Sequence, residues 1–176
     1  MPFFSKDPEE SPESLERKFR VIFEERGRDA SAWLRHAHAL RTAARPLWDR
    51  LSDLGHIAMM LEGMAVEALA KAVRATQEPA LVSDGRWTLQ THDLRSLVDD
   101  TGLTLNPDER SLLARLTGFV LWAGRYPIPL KSSDMTPRML PRTKEIEMPP
   151  GMWIGPADRQ AVTQIFGRLE ALLPCG

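Results

Sequence analysis

Apolar residues recur at helical spacing along most of the chain, and the breaks between them mark its segments. Leu15, Phe19, Ile22 and Phe23 form the first stripe. Ser11 and Pro12 supply an N-cap and a first-turn proline before it, and Gly27 closes it. This helix is either an extra packed layer or a partner-binding arm. Asp29 caps the next helix, where Trp33, Leu40, Leu47 and Leu54 recur every seven residues beside a second row of Ala37, Ala44, Leu51 and Ala58. Pro46 keeps the apolar phase and predicts a kink or a short break. A second long helix buries Ile57, Met60, Leu61, Met64, Ala68, Leu69, Ala72 and Val73. Gly63 in its middle costs about 1 kcal/mol relative to alanine, which predicts a close helix crossing.

The pattern lapses from Gln77 to Thr91, where Pro79 and Asp84-Gly85 mark a loop. Thr91 is the expected N-cap of a short helix, His92–Asp100, that turns Leu94, Leu97 and Val98 inward. Asn106-Pro107-Asp108-Glu109 opens another helix, with a capping residue, a first-turn proline and two acids that suit the helix dipole. Leu112, Leu113, Leu116, Phe119, Val120 and Ala123 carry its buried face to Gly124. Arg125 and Tyr126 are expected to fix its exit, the tyrosine with a buried ring, and Pro127 forbids continuation.

These elements predict an all-α helical bundle. Two long antiparallel helices, about Ala30–Asp53 and Leu54–Thr76, are joined by three or four shorter ones and a long proline-rich loop. Residues 1–10 read as a flexible leader and 11–176 as one domain with its core at about 30–129. Within it, 128–155 is the proline-rich loop, a binding lid or the most mobile part. Met152-Trp153-Ile154 should pin the far end of that loop, and 156–173 is a C-terminal helix.

Composition narrows the function without naming it. Hydrophobic residues at 43% and charged residues at 27% are ordinary for a soluble globular chain. A net charge of −1 exerts no global pull toward nucleic acid or membrane, so such binding needs a local patch. Arg35, Arg41, Arg45 and Arg50 supply one on the first long helix, as a solvated face or an RNA-facing one. The lone Cys175 excludes an intramolecular disulfide and a multi-cysteine zinc site. With no signal-peptide core and no membrane span, the cytoplasm is the expected location. No metal or cofactor is expected. His36 and His38 lie about 200° apart around a helix, Glu62 and Glu67 lack a histidine three residues on, and no Gly-rich phosphate loop is present.

The candidate chemistry lies in Gly85–Leu97, a junction that carries Arg86 and His92. Arginine holds a fixed planar charge, and imidazole exchanges protons near neutral pH. Glu67 and Lys71 form a helical i,i+4 pair in the favourable order.

Three motifs then carry a resemblance: Gly63-Met64-Ala65-Val66-Glu67-Ala68-Leu69-Ala70-Lys71-Ala72, then Thr91-His92-Asp93-Leu94 with Leu97, then Trp122-Ala123-Gly124-Arg125-Tyr126-Pro127. In that order the chain resembles the HEPN superfamily of small all-α domains over roughly Ala30–Pro129. Nuclease members of the family place about four to six residues between an arginine and a histidine, and Arg86 and His92 enclose five. The resemblance implies metal-independent RNA cleavage at a site shared across a homodimer. His92 would move a proton at the ribose 2′-hydroxyl or the leaving oxygen, and Arg86 would stabilise charge on the phosphate. Trp87 stands where active members carry a small polar residue, and it would fill the phosphate space or stack a base. Glu67, Lys71, Asp93, Arg125 and Tyr126 have structural roles on this reading. The expected function is that of an RNA-associated HEPN-like protein, either a binder or a lapsed or regulated ribonuclease in stress or phage defence. The alternative is a non-enzymatic helical adaptor that holds a protein partner through the proline-rich loop.

Overall fold

The apolar phase folds into α1 (Pro12–Arg28), α2 (Ala30–Ala44), a 3₁₀ segment (Arg45–Arg50), α3 (Leu51–Gln77), α4 (Leu94–Asp100), α5 (Pro107–Gly118) and α6 (Pro156–Glu170). The computed structural model describes residues 11–78, 82–83, 86–128, 131–135, 138–139, 146–147 and 154–174. Strand β1 (Val82–Ser83) pairs antiparallel with β2 (Arg86–Trp87), and β3 (Arg138–Met139) pairs with β4 (Ile146–Glu147). Ladders of two residues form no layer, so the described architecture is all-α. The leader 1–10, Asp84-Gly85, Met152-Trp153, Cys175 and much of the proline-rich loop lie outside the described residues.

Side chains set the helix starts. The Ser11 hydroxyl accepts the Ser14 N–H at 3.2 Å and Asp29 accepts that of Ala32 at 3.1 Å. Asn106 and Glu109 close a reciprocal capping box, each bond 2.9 Å long. The start of α4 differs from expectation. Asp93, not Thr91, caps it, because a carboxylate oxygen reaches the N–H groups of Arg95 and Ser96 at 3.1 and 3.4 Å. Thr91 instead accepts the Asp93 N–H at 3.0 Å and shapes the approach. Gly102, at φ +84°, ends the following turn in a conformation that glycine adopts without strain.

Helices α2 and α3 run antiparallel. Arg41 reaches Glu62, whereas the earlier Trp33 meets the later Lys71. The break expected at Pro46 is present: proline lacks an N–H and crowds the preceding turn, so α2 ends at Ala44. The chain therefore tightens into the 3₁₀ segment before α3 begins at Leu51. Packing across this pair also departs from the heptad reading. Ala37, Ala44 and Ala58 are fully buried, while Trp33, Leu40, Leu47 and Leu54 are only half-buried. Small side chains let the backbones approach, and the bulky row splays to the border.

Helix α3 is the centre of the molecule, with α2, α4, α5, α6 and the turn after α5 packed around it. Its burial extends well beyond one stripe. Ala65, Val66, Leu69, Ala70, Ala72 and Val73 are all fully buried, as expected of a helix covered on most sides. The expected face residues Ile57, Met60, Leu61 and Met64 are half-buried. Gly63 marks a close crossing, because a Cβ there would lie 2.7 Å from Val120 Cγ2 and 3.2 Å from the Leu116 carbonyl oxygen. The predicted helix through Gly124 is regular only to Gly118. Phe119–Ala123 then forms a π-helical turn, where the Gly124 N–H reaches the Phe119 carbonyl at 3.0 Å. At the other end of the fold, Ile154 packs on Gly55 and α6 returns to the core through Val162, Ile165, Phe166 and Leu169.

Helix α1 buries no residue. It is joined to the bundle near its end, where Gly27 abuts Val82 and Trp87 and Arg28 donates to the Val82 carbonyl at 2.7 Å. Among the described residues no helix is long and apolar enough to cross a membrane.

Candidate functional site

The C-terminal half of α3 presents Glu67 and Lys71 one turn apart, and the loop before α4 lays His92 against them. Lys71 Nζ donates to Glu67 Oε1 at 2.7 Å, and His92 Nδ1 lies 3.1 and 3.0 Å from the two Glu67 oxygens. The Lys71 and Glu67 side chains are 8% and 12% exposed, so the pair sits largely out of water. An ionised carboxylate only accepts hydrogen bonds, so the proton between His92 and Glu67 belongs to Nδ1. Nε2 has no hydrogen-bond partner among the described residues, and the side chain is 51% exposed. The backbone that follows His92 is held by two threonines. Thr91 bonds the Asp93 N–H, and Thr117 accepts the Leu94 N–H at 3.1 Å.

An indole pair closes the inner wall. Trp33 stacks on Trp87 with centroids 5.3 Å apart, and Lys71 Nζ lies 5.7 Å from the Trp33 ring. Trp33 donates to the Gly27 carbonyl at 3.0 Å and Trp87 to the Leu89 carbonyl at 2.9 Å. Trp87 therefore ties the end of α1 to α2 as well as standing beside the site.

Arg86 occupies the other side of the same strand. Neighbouring strand residues face opposite ways, so the packing of Trp87 turns Arg86 outward, where it is exposed. Among the described residues its side chain makes no hydrogen bond or ion pair, and none joins it to His92. The basic row of α2 and the 3₁₀ segment divides. Arg35 pairs with Asp29 at 3.7 Å, while Arg41 and Arg45 line a separate cleft. Arg125 and Tyr126 close the helix exit through their backbones, each N–H reaching the Trp122 carbonyl at 2.8 Å. Tyr126 is 58% exposed, not buried as expected: Gly124 still packs against Met60, and the chain leaves the core only from Arg125 onward.

That separate cleft centres on Glu62, which accepts the Trp48 indole N–H at 3.1 Å and the Arg41 Nε–H at 3.2 Å. Glu62 has no histidine three residues on to mark it as a site residue. Its signal was a carboxylate in phase with Ala58, Ala65, Val66 and Leu69, since a charge on a buried face requires partners. Trp33 carried no such signal, because a tryptophan in a seam reads as core.

Among the described residues no group of three or more His, Cys, Asp or Glu side chains is arranged to hold a metal ion. No protein-family model, curated protein or solved structure matches the chain.

Proposed function

We propose that the chain is an RNA-associated HEPN-like protein that engages single-stranded RNA at His92, with its cleavage lapsed or regulated. The observation that carries this reading is the relay from Lys71 through Glu67 to His92 Nδ1, which fixes the ring and leaves Nε2 without a partner among the described residues. A neutral ring so held accepts a proton from a ribose 2′-hydroxyl at Nε2. A protonated ring donates Nε2–H to a phosphate oxygen. Binding without efficient cleavage is favoured by Arg86. Transition-state charge is stabilised by donors fixed in advance, and no described partner fixes this exposed guanidinium. A two-fold dimer that brought a second copy's arginine to His92 would restore the pair, which is the regulated form of the proposal. A role in stress or phage defence follows from the family resemblance.

A second reading, a helical adaptor, is favoured by α1, which has no fully buried residue and exposes Val21 and Phe23. Incubation of the full chain with labelled single-stranded RNA in a metal chelator separates the two. Intact RNA retained by the wild type and lost by His92→Ala is the expected result. Chelator-resistant cleavage that both His92→Ala and Arg86→Ala abolish would make the protein an active nuclease. No retention would leave the adaptor.

A further inference from the structure

The Glu62 cluster is a built cleft. Elements α2, the 3₁₀ segment, α3 and α6 line a half-open cleft of about 300 Å³ walled by Arg41, Arg45, Arg159, Trp48, Glu62 and Thr163, among others. Glu62, only 3% exposed, forms its floor, and both of its oxygens accept protein donors. It offsets one of the three guanidinium charges.

Arg41 is held in three ways. Its Nε binds Glu62, its Nη2 donates to the Thr163 hydroxyl at 2.9 Å, and its guanidinium lies 4.4 Å from the centroid of the Phe166 ring. Nη1 is left without a partner among the described residues. Arg45 is exposed and makes no ion pair among them, and Arg159 has only a 3.7 Å contact with the exposed Asp49. His38, also on the lining, is given to Glu170 at 2.9 Å. On a chain of net charge −1, this cleft thus concentrates positive charge around a guanidinium fixed in advance.

We propose that the cleft binds a phosphate group. Guanidinium groups from α2, the 3₁₀ segment and α6 meet there, while the Thr163 hydroxyl, whose proton goes to the Arg159 carbonyl at 2.8 Å, serves to hold Arg41. A tetrahedral anion offers oxygens to several directions at once, whereas a carboxylate offers two in one plane. The site is separate from His92. Glu62 and Glu67 stand five positions apart on α3, about 140° around the helix axis. The phosphate comes from a small phosphate monoester or from a phosphodiester backbone, two sources of one chemistry.

Calorimetric titration of the full chain with inorganic phosphate, at ionic strength held constant with chloride, tests this. Saturable binding is expected. Arg45→Ala and Arg159→Ala should each weaken it by about tenfold or more without moving the melting midpoint, since both side chains are at the surface. His92→Ala should bind phosphate as the wild type does. Displacement of phosphate by a single-stranded oligonucleotide would assign the backbone source, and phosphate binding that persists beside it would assign the small molecule. The proposal is overturned by the absence of saturation below about 10 mM or by affinity unchanged in both arginine variants. Equal affinity for acetate, or loss of binding in His92→Ala, would overturn it as well.

Discussion

Glu67 is the residue on which the proposed RNA site depends, because it serves a buried lysine and an exposed histidine at once. A carboxylate and an ammonium this far out of water are tolerated as a pair and not singly. Glu67→Leu leaves Lys71 buried with only the Trp33 ring beside it, and should lower urea-unfolding stability by about 3–5 kcal/mol. The double variant Glu67→Leu/Lys71→Met removes both charges and should recover most of that loss. A single variant no worse than the double would show that the pair is not truly desolvated. His92 is a different case: half of its ring is in water, so His92→Ala should leave folding nearly intact and report on RNA alone.

At the scale of elements, the crossing of α3 by the end of α5 is set by Gly63. Gly63→Ala would gain about 1 kcal/mol of helix propensity, but its Cβ would press on the branched Val120 side chain and the Leu116 backbone. Overpacking of that kind costs about 1–3 kcal/mol, so a net loss on the order of 1 kcal/mol is expected in thermal melts. A raised midpoint would mean that the crossing is loose. Gly63 illustrates what the sequence made legible, since a helix-interior glycine in an apolar phase has few other reasons to be there. Ser11, Asp29 and the Asn106–Glu109 box were equally readable, because caps act over a single turn. The burial of Ala37 and Ala44 over Trp33 and Leu40 was not readable, since it depends on how near α3 comes. Asp93 displaced Thr91 as the cap for a related reason. Both residues can cap, and the Thr117 contact to Leu94, from a helix later in the chain, favours a start at Leu94.

Across the whole molecule, α3 separates two polar sites, with His92 over its C-terminal half and the arginine cleft against Glu62. The first was visible as a motif, with His92 and Glu67 each singled out. Their contact was not, because it joins positions 25 residues apart. The second drew residues from four elements, and only Arg41 and Arg45 had been marked. Helix α1, fixed at one end and without a fully buried residue, adds a third surface whose Val21 and Phe23 suit a protein contact. The central claim is that RNA meets His92, and the imidazole nitrogen resonances of the ¹⁵N-labelled protein test it directly. On titration with unlabelled single-stranded RNA in a chelator, the His92 Nε2 signal should shift saturably, while Nδ1 keeps the signature of a proton held by Glu67. His92 ring signals that stay unmoved through an excess of RNA would contradict the account.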